Sequence, residues 1–180
     1  MTYRKLNLGC GNDIRKGWVN LDILNNKGVN VIHDLNKLPL PFDDNYFDYI
    51  LCTDVLEHIE YKDLMSELHR ILRKNGILRI NVPHFTSRSN YQDPTHIKMF
   101  SSNTFHYFVN EGCFPYERRI SFFSRIHVRL ELEHPKIPIL KTLFRLLYNY
   151  INKSYQTQKR YERTFLSIIP IKRMKIILVK

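Results

Sequence analysis

Glycine is scarce in this 180-residue chain, with six in all, and cysteine is scarcer, with three. Cys10, Cys52 and Cys113 are odd in number and widely spaced, so they suggest neither a disulfide framework nor a zinc cluster. No metal set is expected, and the thiols read as small buried fillers in a reducing cytoplasm. No apolar run approaches the roughly 18 residues needed to span a bilayer. The start lacks a charged segment followed by an apolar one, so no secretory leader is expected. Hydrophobic residues make up 43% and aromatics 13%, which excludes a largely disordered chain. One domain over residues 1–180, with a real core, is the expectation at this size.

Acidic residues are short in the last part of the chain. Residues 1–110 carry a net charge of +1, whereas residues 111–180 carry +10 of the total +11. Such asymmetry points to an anionic partner. A membrane surface and a nucleic acid are both open readings, the nucleic acid the weaker one, beside a plainly solvated cationic face.

Phosphate-binding signatures are missing as well. The stretch Lys5-Leu-Asn-Leu-Gly-Cys-Gly-Asn12 reads as a buried strand ending in a Gly-x-Gly turn, and Val19-Asn-Leu-Asp22 as a second strand ending in a carboxylate. A dinucleotide fingerprint needs a third glycine where Ile14 stands, and its acid about 20 residues on, whereas Asp22 follows Gly11 by eleven. No Gly-Lys-Ser/Thr follows. The segment from Cys10 to Gly17 is too short for more than about two helical turns aimed at a pyrophosphate. Two glycines that let the backbone approach a ligand, and an acid able to accept both hydroxyls of a ribose, therefore suggest a nucleoside without phosphates. S-adenosylmethionine (SAM) fits that description.

Apolar runs at 5–8, 18–23, 29–32, 47–52 and 77–82 alternate with helical or loop segments, the pattern of a parallel sheet covered on both faces. Tyr61–Leu72 places Leu64, Leu68, Ile71 and Leu72 at helical spacing, and Asn75-Gly76 then reads as a left-handed cap. Ile120–Leu132 and Arg173–Val179 read as late strands. Lys136–Tyr161 reads as mainly helical, with Leu140, Leu143, Phe144, Leu147 and Ile151 on one face.

Four ordered blocks resemble class I SAM-dependent methyltransferases: the Gly-Cys-Gly turn with Asp22; Asp34-Leu35; Asp48-Tyr-Ile-Leu-Cys-Thr-Asp54-Val-Leu-Glu-His58; and Leu68 to Pro83 with its Gly76 turn. The resemblance implies an α/β fold, a Rossmann-like, doubly wound, mostly parallel sheet with an antiparallel edge strand. It places a basic helical insertion at about 135–170, before the last strand. It implies SAM as cofactor, with contacts from Asn7, Leu8, Gly9, Cys10, Gly11, Asn12, Asp22, Ile23, Asp34, Leu35, Thr53 and Asp54. Asp22 and Asp34 each have a plainer use as turn-capping acids.

Methyl transfer from a sulfonium needs an aligned acceptor and removal of its proton. Asp93-Pro-Thr-His96 lies on a polar loop after the fifth strand. His96 reads as the candidate base, oriented by Asp93 and helped by His84, or else the motif is an Asx turn with a packing imidazole. His58 sits on the acceptor side or hydrogen-bonds at a helix start, and with His84 and His96 is a candidate substrate contact. The base-amino methylation motif Asn/Asp-Pro-Pro-Tyr is absent, its place taken by Cys52-Thr-Asp-Val. Asp93-Pro-Thr-His96 with Phe100, Tyr161-Glu-Arg, Ile169-Pro and Leu178-Val is similar to small methyltransferases among cell-surface polysaccharide genes. That implies a saccharide or lipid-linked glycan hydroxyl as acceptor; the cysteines suggest a cytoplasmic protein, and the basic C-terminal region a position peripheral to the membrane. An RNA methyltransferase and a non-catalytic SAM-binding module are the alternatives.

Overall fold

A computed structural model describes residues 3–109, 123–133 and 140–180. Cys113, the first residues of the strand expected from Ile120, and Pro135 to Ile139 lie outside the described residues. Seven strands form one sheet in the order β3-β2-β1-β4-β5-β7-β6. They are β1 (Lys5–Leu8), β2 (Val19–Asp22), β3 (Val31–Ile32), β4 (Phe47–Thr53), β5 (Leu72–Pro83), β6 (Arg125–Leu132) and β7 (Ile171–Val179). The first five run parallel, and β7 is antiparallel to both its neighbours. The two late strands form the antiparallel pair that the resemblance implies at the sheet edge: β7 lies second from the end and β6 is outermost.

Register explains where the core sits. Leu6 pairs with Ile50, Ile50 with Leu78 and Leu78 with Leu178, and all four are fully buried. Leu8, Cys52, Ile80 and Ile176 form the next buried row. Successive strand residues point to opposite faces, so the other face carries Lys5, Asn7, Tyr49, Arg79, Asn81, Lys175 and Arg173. Among the described residues the apolar packing is thus concentrated on the first face, while the second mixes these polar groups with buried Leu51. The physical reason lies in the crossovers: β1–β2, β2–β3 and β3–β4 contain turns and no helix.

Helix α1 (Tyr61–Ile71) buries Leu64, Met65, Leu68 and Ile71, while Leu72 opens β5. Its Glu67 accepts from the Leu40 amide at 2.7 Å and from Arg70 at 2.6 and 2.8 Å, and Arg70 reaches Asp44 at 2.6 Å. This fastens the turn before β4 to the helix. The left-handed residue expected at Asn75-Gly76 is Asn75, with φ +62°; Gly76 is needed because a Cβ there would lie 2.7 Å from the Arg73 carbonyl oxygen. Helix α2 (Ser89–Gln92) follows β5, and Phe100, Phe105 and Phe108 pack with Tyr61 in an aromatic cluster.

The insertion between β6 and β7 folds as α3 (Leu140–Ile151) and α4 (Tyr155–Arg163). Ser154 interrupts them by capping α4, accepting from the Thr157 amide while Thr157 Oγ1 accepts from the Ser154 amide. Phe144, Leu147 and Ile151 pack on the core, but Leu143 is 59% exposed, as is its neighbour Leu146 at 60%. Two side-chain amides close the free edge of β6. Asn152 accepts from Leu130 N and donates to Leu130 O at 2.8 and 2.9 Å, and Gln158 donates to Val128 O at 2.8 Å. Among the described residues no helix is long and apolar enough to cross a membrane.

Candidate active site

The ends of β1, β2 and β4 converge on a crevice of about 230 Å³, lined by Gly9, Asp22, Ile23, His33, Asp34, Leu35, Asp54, Val55, His58 and Ile59 among others. Gly9 and Gly11 have φ of +61° and +50°, the left-handed region that glycine enters freely. A Cβ on Gly9 would sit 2.4 Å from Val55 Cγ2, whereas one on Gly11 would project into open space. Asp22 shapes this turn. Its Oδ2 accepts from Gly11 N at 2.7 Å and its Oδ1 from Leu24 N at 3.0 Å. The residue is 8% exposed and leaves one flank of the carboxylate to the crevice. Ile23, at the rim, is 60% exposed although apolar, a surface suited to a flat heterocycle.

The expected cofactor residues do not all reach this crevice. Asn7 is 3% exposed and spends its amide on Asp13 O, at 2.6 Å, and Asn20 Oδ1, at 3.3 Å. It is corrected to a strut that holds the loop from the opposite sheet face. Leu8 and Cys10 are buried, and Asn12 is exposed without lining the cavity. Asp34 lines it and also makes the Asx turn, accepting from Asn36 N at 3.0 Å, so that backbone bond holds its carboxyl below the usual range. Thr53 accepts from Asn81 at 2.7 Å. Asp54 follows in a left-handed conformation, φ +54°, paired to Arg173 at 2.7 Å.

A second, larger cleft of about 780 Å³ adjoins, lined by Asp54, Glu57, His58, Ser87, Arg88, Gln92, Asp93, His96, Lys172 and Arg173 among others. Asp54 and His58 belong to both cavities. Asp93 Oδ1 accepts from Thr95 N at 2.9 Å and Thr95 Oγ1 at 2.6 Å, and these bonds hold its carboxyl below the ordinary range. Because the Thr95 hydroxyl donates to Asp93, it accepts from His58 Nδ1, 2.9 Å away. Neutral His58 therefore carries its free lone pair on Nε2. His96 lies edge-on to His58 with ring centroids 4.7 Å apart, and its Nε2 is 3.7 Å from Asp93 Oδ2. Asp93 thus orients His58 by a hydrogen-bonded relay through Thr95 and holds His96 only at ion-pair distance.

His84 is moved out of the site. It is fully buried, with Nδ1 at 2.7 Å from Thr86 Oγ1 and Nε2 at 3.1 Å from Glu162, and it lines neither cavity. Residue 84 follows β5 directly, and its side chain turns into the core beside Phe85 and Tyr161. Glu57 is the residue that sequence reasoning passed over. It is fully buried, neither carboxylate oxygen has a hydrogen-bond partner, and burial, with Asp54 and Asp93 nearby, pushes its pKa up to about 7. An acid enclosed by apolar residues in Val55-Leu-Glu-His-Ile59 is the signal that could have found it.

A family model described as a methyltransferase domain matches residues 6–80. A SAM-dependent methyltransferase from Archaeoglobus fulgidus superposes with a TM-score of 0.60 at 17% identity, covering 99% of this chain and 86% of the other. One from Thermotoga maritima gives 0.58 at 16% identity, covering 100% and 83%. These likenesses establish the shared fold. An uncharacterized protein of Methanocaldococcus jannaschii is 49% identical over 47 residues, which are 26% of this chain and 21% of the relative, so the match spans about a fifth of that protein.

Proposed function

We propose that this chain is a class I SAM-dependent methyltransferase that moves a methyl group to an oxygen acceptor, a saccharide or lipid-linked glycan hydroxyl. The observation that carries this reading is the junction of the two cavities at Asp54 and His58. A donor in the crevice and an acceptor in the cleft would meet there. The crevice fits a nucleoside: it is small, an apolar rim stands exposed, and Gly11, bonded to the Asp22 carboxylate that lines it, has nothing within 4 Å of where a Cβ would stand.

When bound, SAM supplies a methyl group on a sulfonium whose departure as a neutral thioether needs no acid. Gly9 and Gly11 would admit the ligand backbone, Asp22 the ribose, and Ile23 with Leu35 the base, Asp34 lying at its edge. The chain's remaining tasks are to align the acceptor and to take its proton. Ser87, Arg88, Gln92 and Lys172 offer donors and acceptors suited to a polyhydroxylated ring. His58, with Nε2 free, and His96 stand where a hydroxyl proton would be removed. Exposed Leu143 and Leu146 among Lys141 and Arg145, with Phe165 and Ile168 exposed by 80% and 81%, favour a lipid-linked acceptor presented at an anionic surface.

Incubation with methyl-labelled SAM and cell extract fractionated into glycolipid, saccharide, RNA and small-molecule pools tests the reading. Label is expected in a hydroxyl of the glycan fractions, with S-adenosylhomocysteine released in equal amount. Label in RNA would transfer the assignment to an RNA methyltransferase. SAM binding without S-adenosylhomocysteine in any pool would leave a non-catalytic module.

A further inference from the structure

We infer that Glu57, His58 and His96 form a binding site for one first-row divalent cation, Zn²⁺ or Mn²⁺, on the wall of the acceptor cleft. One oxygen or nitrogen from each of these side chains lies within 4.8 Å of the others. Glu57 has no exposed surface and both its oxygens lack a partner. The His96 side chain is 7% exposed, and its Nδ1 is likewise without a partner. A buried carboxylate and a buried imidazole nitrogen, each stripped of water and each unbonded, are costly. Their facing one cleft wall gives that cost a common remedy.

The backbone builds the cluster. Glu57 and His58 lie on the one-turn 3₁₀ helix after β4, and the Glu57 carbonyl accepts from Ile97 N at 2.8 Å and Lys98 N at 3.1 Å. That pair of bonds brings His96 to Glu57. The Asp93–Thr95 relay fixes the proton of His58 on Nδ1 and leaves Nε2 to ligate, the outer arrangement that metal-binding imidazoles use. Ligands about 2.0–2.2 Å from an ion require the cluster to close by about 1 Å. Two imidazoles and one carboxylate favour transition cations over Mg²⁺ or Ca²⁺, which want oxygen shells. Three protein ligands leave coordination positions open toward the cleft.

The binding site stands on geometry alone, while its use rests on the methyl-transfer reading. An acceptor hydroxyl at an open position would be acidified by the cation, with its proton released to water and the imidazoles serving as ligands in place of bases. The new oxygen–carbon bond then forms as the sulfur–carbon bond breaks, its electron pair staying on sulfur.

The test is calorimetric titration of the tag-free, chelator-treated full chain with Zn²⁺, Mn²⁺ and Mg²⁺, together with the absorption spectrum of bound Co²⁺. One equivalent of Zn²⁺ or Mn²⁺ is expected, with Mg²⁺ at least tenfold weaker and cobalt bands of nitrogen ligation. His96→Asn and Glu57→Gln should each weaken Zn²⁺ at least tenfold. Glu57→Gln is isosteric and replaces a buried carboxyl that has no hydrogen-bond partner with a neutral amide, so a folded protein that still binds Zn²⁺ like the wild type overturns the site. No stoichiometric binding by the wild type overturns it too, even if methyl transfer proceeds. Binding without methyl transfer to any pool keeps the site and overturns the functional reading.

Discussion

Replacing Gly9 by alanine isolates what the turn after β1 demands. The new Cβ would lie 2.4 Å from Val55 Cγ2 and 3.3 Å from Cγ1, against the 3.5–4.0 Å of an ordinary carbon contact. Overpacking of this kind costs about 1–3 kcal/mol. The left-handed φ of +61° adds roughly 1–2 kcal/mol for any residue with a Cβ. Gly9→Ala should therefore lose about 2–5 kcal/mol, a fall of roughly 5–15 °C in Tm at this chain length. Val55→Ala deletes both γ-carbons and leaves only Cβ, 3.4 Å away. In the double variant the steric part should vanish and the backbone part remain, a favourable coupling of about 1–3 kcal/mol in a double-mutant cycle. Gly11→Ala, at φ +50° with nothing within 4 Å, should cost only the backbone part and show no coupling to Val55→Ala. Urea unfolding of the wild type, the three single variants and the two double variants with Val55→Ala measures all of this. Additive losses for Gly9→Ala and Val55→Ala would refute the crowding argument.

Asp22→Asn keeps one acceptor but sets an amide group against a backbone N–H, so calorimetry should show SAM affinity at least tenfold weaker and stability lower by about 1–3 kcal/mol. Unchanged affinity would remove the ribose assignment. His96→Ala should spare SAM binding and slow methyl transfer roughly 10²-fold or more, whether the imidazole acts as base or ligand; wild-type turnover would exclude both. The Glu67 carboxyl is held below its ordinary range, first by its bonds to Arg70, so its contribution is full above the usual carboxylate pKa of about 4.3 and is lost as pH falls through the lower folded value. Glu67→Gln should thus be less stable than the wild type at pH 7 by about 1–3 kcal/mol and converge with it toward pH 3; parallel pH curves would contradict this.

Local chemistry was legible and long-range pairing was not. The Gly-Cys-Gly turn and Asp22 lie within one strand–turn–strand unit, and the demands of a left-handed turn and a strand-end acid are visible at that scale. The strand runs showed themselves because each buries alternate apolar residues. The missing helices between β1 and β4 left their mark in short spacings, yet buried strands read alike whether one face is covered or two. The partners of Asn7 and His84 stayed hidden for a common reason: a polar side chain within or just after a strand looks the same whether it faces a ligand or a partner such as Asp13 or Glu162. The pairing of Glu57 with His96 depends on two backbone bonds across some forty positions, which no local pattern records.

The amides of Asn152 and Gln158 on β6 have a consequence for how molecules of this chain meet. An open strand edge is a template on which a second chain can add its own strand. Here the outward groups of Leu130 and the carbonyl of Val128 are already engaged by side chains of the inserted helices. The insertion is therefore also a stopper: a variant shortened between α3 and α4 would keep its sheet but expose a sticky border, and self-association would follow from the loss of two amides.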